Sequence, residues 1–350
     1  MQNAYYELLK KYAKMMTEQE YPVGEAAKLM IETTEGVFAT KDSADLSDLK
    51  PDDVEKLAVE HLPLARKGMS AMAFSQTPYC QECLADARPF RASLDDMAQI
   101  IGPAVYIADG RSSNDKAGKS MAKAFKHSSG ALVFRGVDKK GNGVGYTITA
   151  GRTPYEAVVG MTVLEKSAEI TILADRIGGA KNINKIEAQL MHKIYQKKYS
   201  KAESSIKKNE VESVQAESSV QTGVSNNLAE EPKTREEELR EKLCQYGKKL
   251  VETGLVQGTW GNLSIRLDDK FMLVTPSGLD YNRLTPADMV KVNISSLEYE
   301  GDLKPTSEKG LHAAVYKQRP DVGAVIHTHS KYCCVFAAAE KPLRINDPEM

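Results

Sequence analysis

The chain has 350 residues, of which 27% are charged and 41% hydrophobic, and its formal net charge is −1. That near-neutral balance supplies no basic field for nucleic acid or an anionic membrane surface, so neither is expected as a partner. No apolar run approaches the roughly 20 residues that cross a bilayer, and the amino-terminal "MQNAYYELLKKYAKMM" lacks the apolar core of a secretion signal, which points to the cytoplasm.

The length allows two domains. Cys80 and Cys83 form "CQEC" without the second pair that a zinc ribbon needs, and read as incidental thiols on a helix. Residues 199–233 are rich in Ser, Glu, Lys, Asn and Gln, and from Ser200 onward contain no aromatic residue. Such a segment cannot bury enough apolar surface to offset its ordering entropy, and reads as a flexible polar linker. It divides the chain into domains at 1–198 and 234–350. The second domain opens on a capping box, Thr234 with Glu237. A helix follows with Leu239, Leu243, Tyr246 and Leu250 on one stripe, closed by Gly254 at C′.

The two sides of the linker resemble each other. "LTPADMVKV" from Leu284 matches "LKPDDVEKL" from Leu49, and "HTHSKYC" from His327 matches "FSQTPYC" from Phe74. "KPLRINDPEM" from Lys341 matches "RPFRASLDDM" from Arg88 with the same offset as the histidine match. This is the pattern of an internal duplication. The first copy continues to about residue 198 and the second stops early, so the second domain is expected to be carboxyl-terminally incomplete.

In the second copy "FMLVTPSG" reads as a strand entering a turn, "SEKGLHAAVYKQ" as a helix with Ser307 at its N-cap, and "VGAVIHTHS" as a strand. Helix and strand alternate, an α/β class. Residues i and i+2 of a strand share a face, so His327 and His329 project together. Two imidazoles so placed suit Zn²⁺ or another divalent cation if a third ligand faces them; alone, the pair reads rather as two satisfied or surface histidines near a strand end. The neighbouring motifs shift that balance. "GTWGNLSIR" places Thr259, Gly261 and Asn262 after a helix, "TPSG" puts Ser277 and Gly278 in a tight turn, and "PTSE" sets Thr306 and Ser307 at a helix start. Glycine amides, hydroxyls and helix N-termini are the donors that receive a phosphate.

Taken in order, "GTWGNLSIR", "TPSG", "PTSE" and "HTHS" resemble the class II aldolase/adducin family, strongly over residues 236–350 and weakly over 1–198. The resemblance implies α/β/α three-layer domains around a mixed, largely antiparallel sheet. It implies a zinc-dependent sugar-phosphate aldolase, cleaving a ketose 1-phosphate to dihydroxyacetone phosphate and an aldehyde, or a related lyase. His327 and His329 would be metal ligands, with a third histidine beyond them. Glu308 would move the substrate proton, and Thr259, Asn262, Ser277, Gly278, Thr306 and Ser307 would cradle the phosphate. A glutamate at 308 fits the family's aldolases, where its epimerase carries aspartate. His312 reads as a surface histidine one turn later. The family's tetramers, with sites between subunits, imply a homo-oligomer or a pseudo-oligomer of tandem repeats. The first copy departs from the pattern. Phe74 and Gln76 stand at the histidine positions and Asp42 stands in the "TPSG" turn, so it keeps the fold and has lost the chemistry. His61, His127 and His192 are then structural or exposed. A non-catalytic assembly or regulatory protein, like the adducin head, is the alternative.

Overall fold

The computed structural model describes residues 2–59, 62, 68–111, 115–197, 233–256, 261–279 and 281–344. His61, Thr259, Trp260 and the polar stretch up to residue 232 lie outside them. Two compact units emerge: one of residues 1–220 with 331–350, the other of residues 221–330.

The first unit contains α1 (Gln2–Thr17), β1 (Lys28–Thr33), β2 (Gly36–Thr40), β3 (Val54–Lys56), β4 (Ala71–Ser75), α2 (Pro78–Ala85), β5 (Phe90–Arg91) and β6 (Ala104–Asp109). It continues with α3 (Asp115–Ala124), β7 (Gly130–Val137), β8 (Gly143–Gly151), α4 (Pro154–Asp175) and the helix 185–197, α5. The strands form one sheet in the order β3-β2-β1-β4-β8-β7-β6-β5. Every pair is antiparallel except β6–β7. Strand alternation distributes the core to both faces. Leu29, Ile31, Ala71 and Ala73 meet Leu9 and Met16 of α1 and Met161 of α4. Met30, Met72 and Val133 meet Met121 of α3 and Phe125, the residue that follows that helix, on the other side. Thr153 caps α4 by accepting from the Glu156 amide at 3.2 Å, and Pro154 at the first position presets its φ.

The second unit contains α6 (Arg235–Glu252), β9 (Asn262–Arg266), β10 (Phe271–Val274), β11 (Val290–Asn293), α7 (Lys309–Gln318) and β12 (Ala324–His327). Its sheet runs β11-β10-β9-β12, all antiparallel. Leu263 and Leu273 pack on Leu243 and Leu250 of α6, while Met272, Val274 and Val292 pack on Ala313 and Tyr316 of α7. Both sheets are thus covered on two faces, the α/β/α layering that the motifs implied. The strands β3-β2-β1-β4 and β11-β10-β9-β12 follow the same chain order and sense. The same corner is closed in each, by Leu29 N to Thr40 Oγ1 at 3.1 Å and by Leu263 N to Thr275 Oγ1 at 3.2 Å.

Several local expectations meet the structure directly. The Thr234–Glu237 capping box forms, with Glu237 Oε2 accepting from the Thr234 amide at 2.7 Å and Thr234 Oγ1 accepting from the Glu237 amide at 3.3 Å. Gly254 takes φ +70° at the end of α6. Two expectations are corrected. Tyr246 is 49% exposed. The buried line of α6 runs instead through Leu243, Gly247 and Leu250, because Gly247 lies against the Tyr281 ring, where a Cβ would come within 2.5 Å of Cδ1. Helix α7 begins at Lys309 with Glu308 at its N-cap, not Ser307. Thr306 makes the turn, its Oγ1 accepting from the Glu308 amide at 3.3 Å and its carbonyl from the Lys309 amide at 3.3 Å.

Helix α8 (Lys331–Ala338) belongs to the first unit. Val335, Ala338 and Ala339 pack on Ile170 and Ala174 of α4. Lys331 donates to Glu20 at 2.6 Å and lies 3.3 Å from Glu169, whose other oxygen accepts from the Tyr21 hydroxyl. Covered in this way, α4 is buried along nearly its whole length, lysine and glutamates included.

Candidate active site on the β9–β12 edge

Strand β9 turns Leu263 toward α6 and Asn262, Ser264 and Arg266 toward α7. On α7 the facing residues recur every fourth position, at Glu308, His312 and Tyr316. The two periodicities mesh into a ladder. Asn262 Nδ2 donates to Glu308 Oε2 at 2.7 Å, and Asn262 Oδ1 faces His312 Nε2 at 2.5 Å. His312 Nδ1 lies 2.7 Å from Ser264 Oγ, and Ser264 Oγ lies 2.8 Å from the Tyr316 hydroxyl. The Arg266 guanidinium stacks 4.6 Å above the Tyr316 ring and donates to the Tyr316 carbonyl at 2.8 Å.

Strand β12 pairs with β9 so that His327 stands opposite Asn262. This places His327 Nδ1 3.4 Å from Glu308 Oε2. The β-strand ends at His327, so His329 lies beyond it, not within it. Its ring still neighbours that of His327, with centroids 5.0 Å apart and planes at 70°. The entry to β9 requires glycine. Gly261 has φ +82°, and a Cβ there would come within 2.6 Å of the His327 carbonyl oxygen. The Tyr281 hydroxyl donates to the Gly261 carbonyl at 2.9 Å and steadies that turn.

The remaining turn residues are gathered by backbone pairing. Ser277 N donates to Lys304 O at 2.8 Å, Thr306 N to Thr275 O at 3.0 Å, and Pro276 bridges Pro305. These bonds hold the Ser277–Gly278 turn, with Gly278 at φ +78°, against the segment that leads into Thr306, Ser307 and Glu308. Thr306 is buried, whereas Ser307 is exposed.

His312 is corrected from surface to core: it is fully buried. Burial disfavours its imidazolium and pushes its pKa down to about 4. Ser264 and Tyr316 escaped notice in the sequence, because a serine and a tyrosine within apolar periodicities read as ordinary strand and helix residues. The usable signal was the match of N-x-S-x-R at strand spacing with E-x-x-x-H-x-x-x-Y at helix spacing. In the first unit His192 is buried, with Nδ1 2.7 Å from Gln99 O, and His127 is exposed.

Two imidazoles bound to one tetrahedral ion at Zn–N of about 2 Å have centroids roughly 5 Å apart. The 5.0 Å between the His327 and His329 ring centroids matches that spacing. No group of three or more His, Cys, Asp or Glu that could hold a metal occurs among the described residues.

The structure thus brings two histidines, a helix-opening carboxylate and Gly, Ser and Thr turns together at one edge of the second sheet. Residues 241–350 match the model of the class II aldolase and adducin N-terminal domain. The chain is 40% identical over 100 residues to 5-deoxy-D-ribulose 1-phosphate aldolase of Bacillus thuringiensis serovar kurstaki, covering 28% of this chain and 47% of the relative. It is 41% identical over 90 residues to methylthioribulose-1-phosphate dehydratase of Serratia proteamaculans, covering 26% and 44%. The chain spans about half the length of the curated relatives it matches. A solved L-fuculose 1-phosphate aldolase aligns with 55% of this chain and 95% of its own at 19% identity and a TM-score of 0.46. No helix among the described residues is long and apolar enough to cross a membrane.

Proposed function

We propose that the segment 234–350 carries the active half-site of a divalent-metal-dependent sugar-phosphate lyase, and that retro-aldol cleavage of a ketose 1-phosphate is its reaction. One observation carries the reading: Glu308 lies 3.4 Å from His327, with the His329 ring alongside at 5.0 Å. The aldolase and dehydratase names of the relatives support the substrate class.

In this reading His327 and His329 hold a divalent ion, Zn²⁺ being the first candidate. Bound there, the ion supplies a Lewis acid for the charge that develops on a substrate carbonyl. Glu308 takes or returns the proton at the adjacent carbon, held in place by the Asn262 amide. Thr259, Asn262, Ser277, Gly278, Thr306 and Ser307 receive the phosphate. Remote binding of this kind fixes the reacting end relative to Glu308. Asn262 would serve at the boundary of the two regions, since its amide already engages Glu308.

We also read the first unit as a duplicated scaffold without this chemistry. In register with β4, Lys28 stands opposite Phe74, as Asn262 stands opposite His327 in the second unit. Lys28 donates to Asp42 at 2.7 Å, so the cation neutralises the one acidic residue of that turn. Gln76 accepts from the Ala26 amide at 3.1 Å and donates to the Gly145 carbonyl at 2.9 Å. Those are the contacts of a structural residue.

The test is deuterium incorporation into dihydroxyacetone phosphate in D₂O with added Zn²⁺, alongside metal analysis of the purified chain. Exchange is expected, and Glu308→Gln is expected to lower it by about 10²-fold or more, the usual contribution of a general base. A chain that binds no divalent ion and leaves the substrate protons in place would remove the proposal.

A further inference from the structure

The ladder beneath Glu308 has a direction. A carboxylate can only accept, so Asn262 presents its Nδ2 to Glu308 and its Oδ1 to the other side. The amide oxygen cannot donate, so His312 Nε2, 2.5 Å away, carries the proton. His312 Nδ1 then accepts, and Ser264 Oγ is its donor at 2.7 Å. With its own hydrogen committed, Ser264 accepts from the Tyr316 hydroxyl at 2.8 Å. Every link of the ladder then joins one donor to one acceptor, and Asn262, Ser264, His312 and Tyr316 are all at least nine-tenths buried. Reversing any one member would set two acceptors or two donors face to face in a dry interior, which costs more than the bond contributes.

We propose that His312 is a positioning residue: through the Asn262 side chain it holds the Glu308 carboxylate in place beside His327, and Ser264 with Tyr316 selects the imidazole tautomer that does so. The kinetic consequence rests on the reading of Glu308 as the proton-moving group; the orientation of Asn262 does not. Carboxylates and imidazoles at metal sites are commonly oriented by such outer partners, whose removal lowers function about 10–100-fold.

Two readouts on the full chain test this. The first is the side-chain amide of Asn262 in a ¹⁵N–¹H spectrum, assigned with Asn262→Asp. His312→Leu is expected to move its two amide signals to the positions of a solvated asparagine, and His312→Gln, which can donate to the same oxygen, is expected to return them. The second is deuterium exchange into dihydroxyacetone phosphate. His312→Leu is expected to lower the turnover number about 10–100-fold with KM within about twofold, and His312→Gln to recover most of it. If His312→Leu does not fold, Ser264→Ala replaces it. That change frees the tautomer at almost constant volume and is expected to shift the same amide signals. Unchanged amide signals in either variant would overturn the proposal. So would His312→Gln restoring the amide signals without restoring turnover in an active protein. A wild-type chain inert toward dihydroxyacetone phosphate would count against the lyase reading, and the amide readout would still decide the role of His312.

Discussion

Asn262 has three roles: it opens β9, stands in register with His327, and joins His312 to Glu308. Its neighbour Gly261 has as little freedom. A Cβ at φ +82° and 2.6 Å from the His327 carbonyl meets both backbone strain and a clash. Gly261→Ala is therefore expected to destabilise the second unit by about 1–3 kcal/mol, read as a lower urea midpoint, and to displace His327. His312 makes a prediction of its own in pH. Its folded pKa of about 4 lies below the ordinary 6.5, so between these values the unfolded chain binds a proton that the folded chain excludes. The stability it contributes is therefore complete above pH 6.5 and lost as pH falls toward 4. Replacing it by glutamine should flatten the difference in unfolding free energy between pH 7 and pH 4.5 by on the order of 2 kcal/mol, measured by urea titration at each pH. Wild type and variant losing stability in parallel would contradict this.

At the scale of elements, matching strands do not make matching sites. The β1–β4 and β9–β12 edges share order and sense, yet one presents Lys28 and Phe74 and the other Asn262 and His327. Lys28 lies 2.7 Å from Asp42 and 3.9 Å from Glu55, a cation held where a divalent ion would need room. Gln76 is bonded to the backbone on two sides. Phe74→His combined with Gln76→His is accordingly expected to confer no stoichiometric zinc on the first unit, as judged by elemental analysis in a His327→Ala background. Much at this scale was legible in the sequence because it is local chemistry. The Thr234 capping box, the Gly254 terminus and the strand at "FMLV" need only near neighbours. The start of α7 moved by one residue because Thr306 and Ser307 compete to make the same turn, and side-chain spacing does not rank them.

For the molecule as a whole, the partition of the chain does not follow the motifs matched on the two sides of the polar stretch. Helix α8 immediately follows the histidine pair, yet it is packed in the first unit against α4. Deleting residues 331–350 would uncover Ile170 and Ala174 and remove the Lys331 contacts to Glu20 and Glu169. Burial of side chains of this size is worth roughly 3 kcal/mol or more in sum, so the first unit should unfold at lower denaturant while α6 and its packing on β9 persist. Hydrogen exchange resolved by segment would check this. Loss of protection confined to the second unit would contradict it.

Taken alone, the order of residues pointed to the α/β class, the Thr234 cap, the Gly254 terminus and the pair His327 and His329, while Glu308 entered through the family resemblance. All but the last rest on chemistry within a turn or a strand pair. Only the tertiary structure decided that His312 is buried, that Asn262 faces both it and Glu308, and that α8 covers α4. The physical reason is separation along the chain: Ser264 and His312 meet across 48 intervening steps, and Asn262 and Glu308 across 46. A buried histidine and an exposed one are the same letter until the strand that supplies its partner is in place.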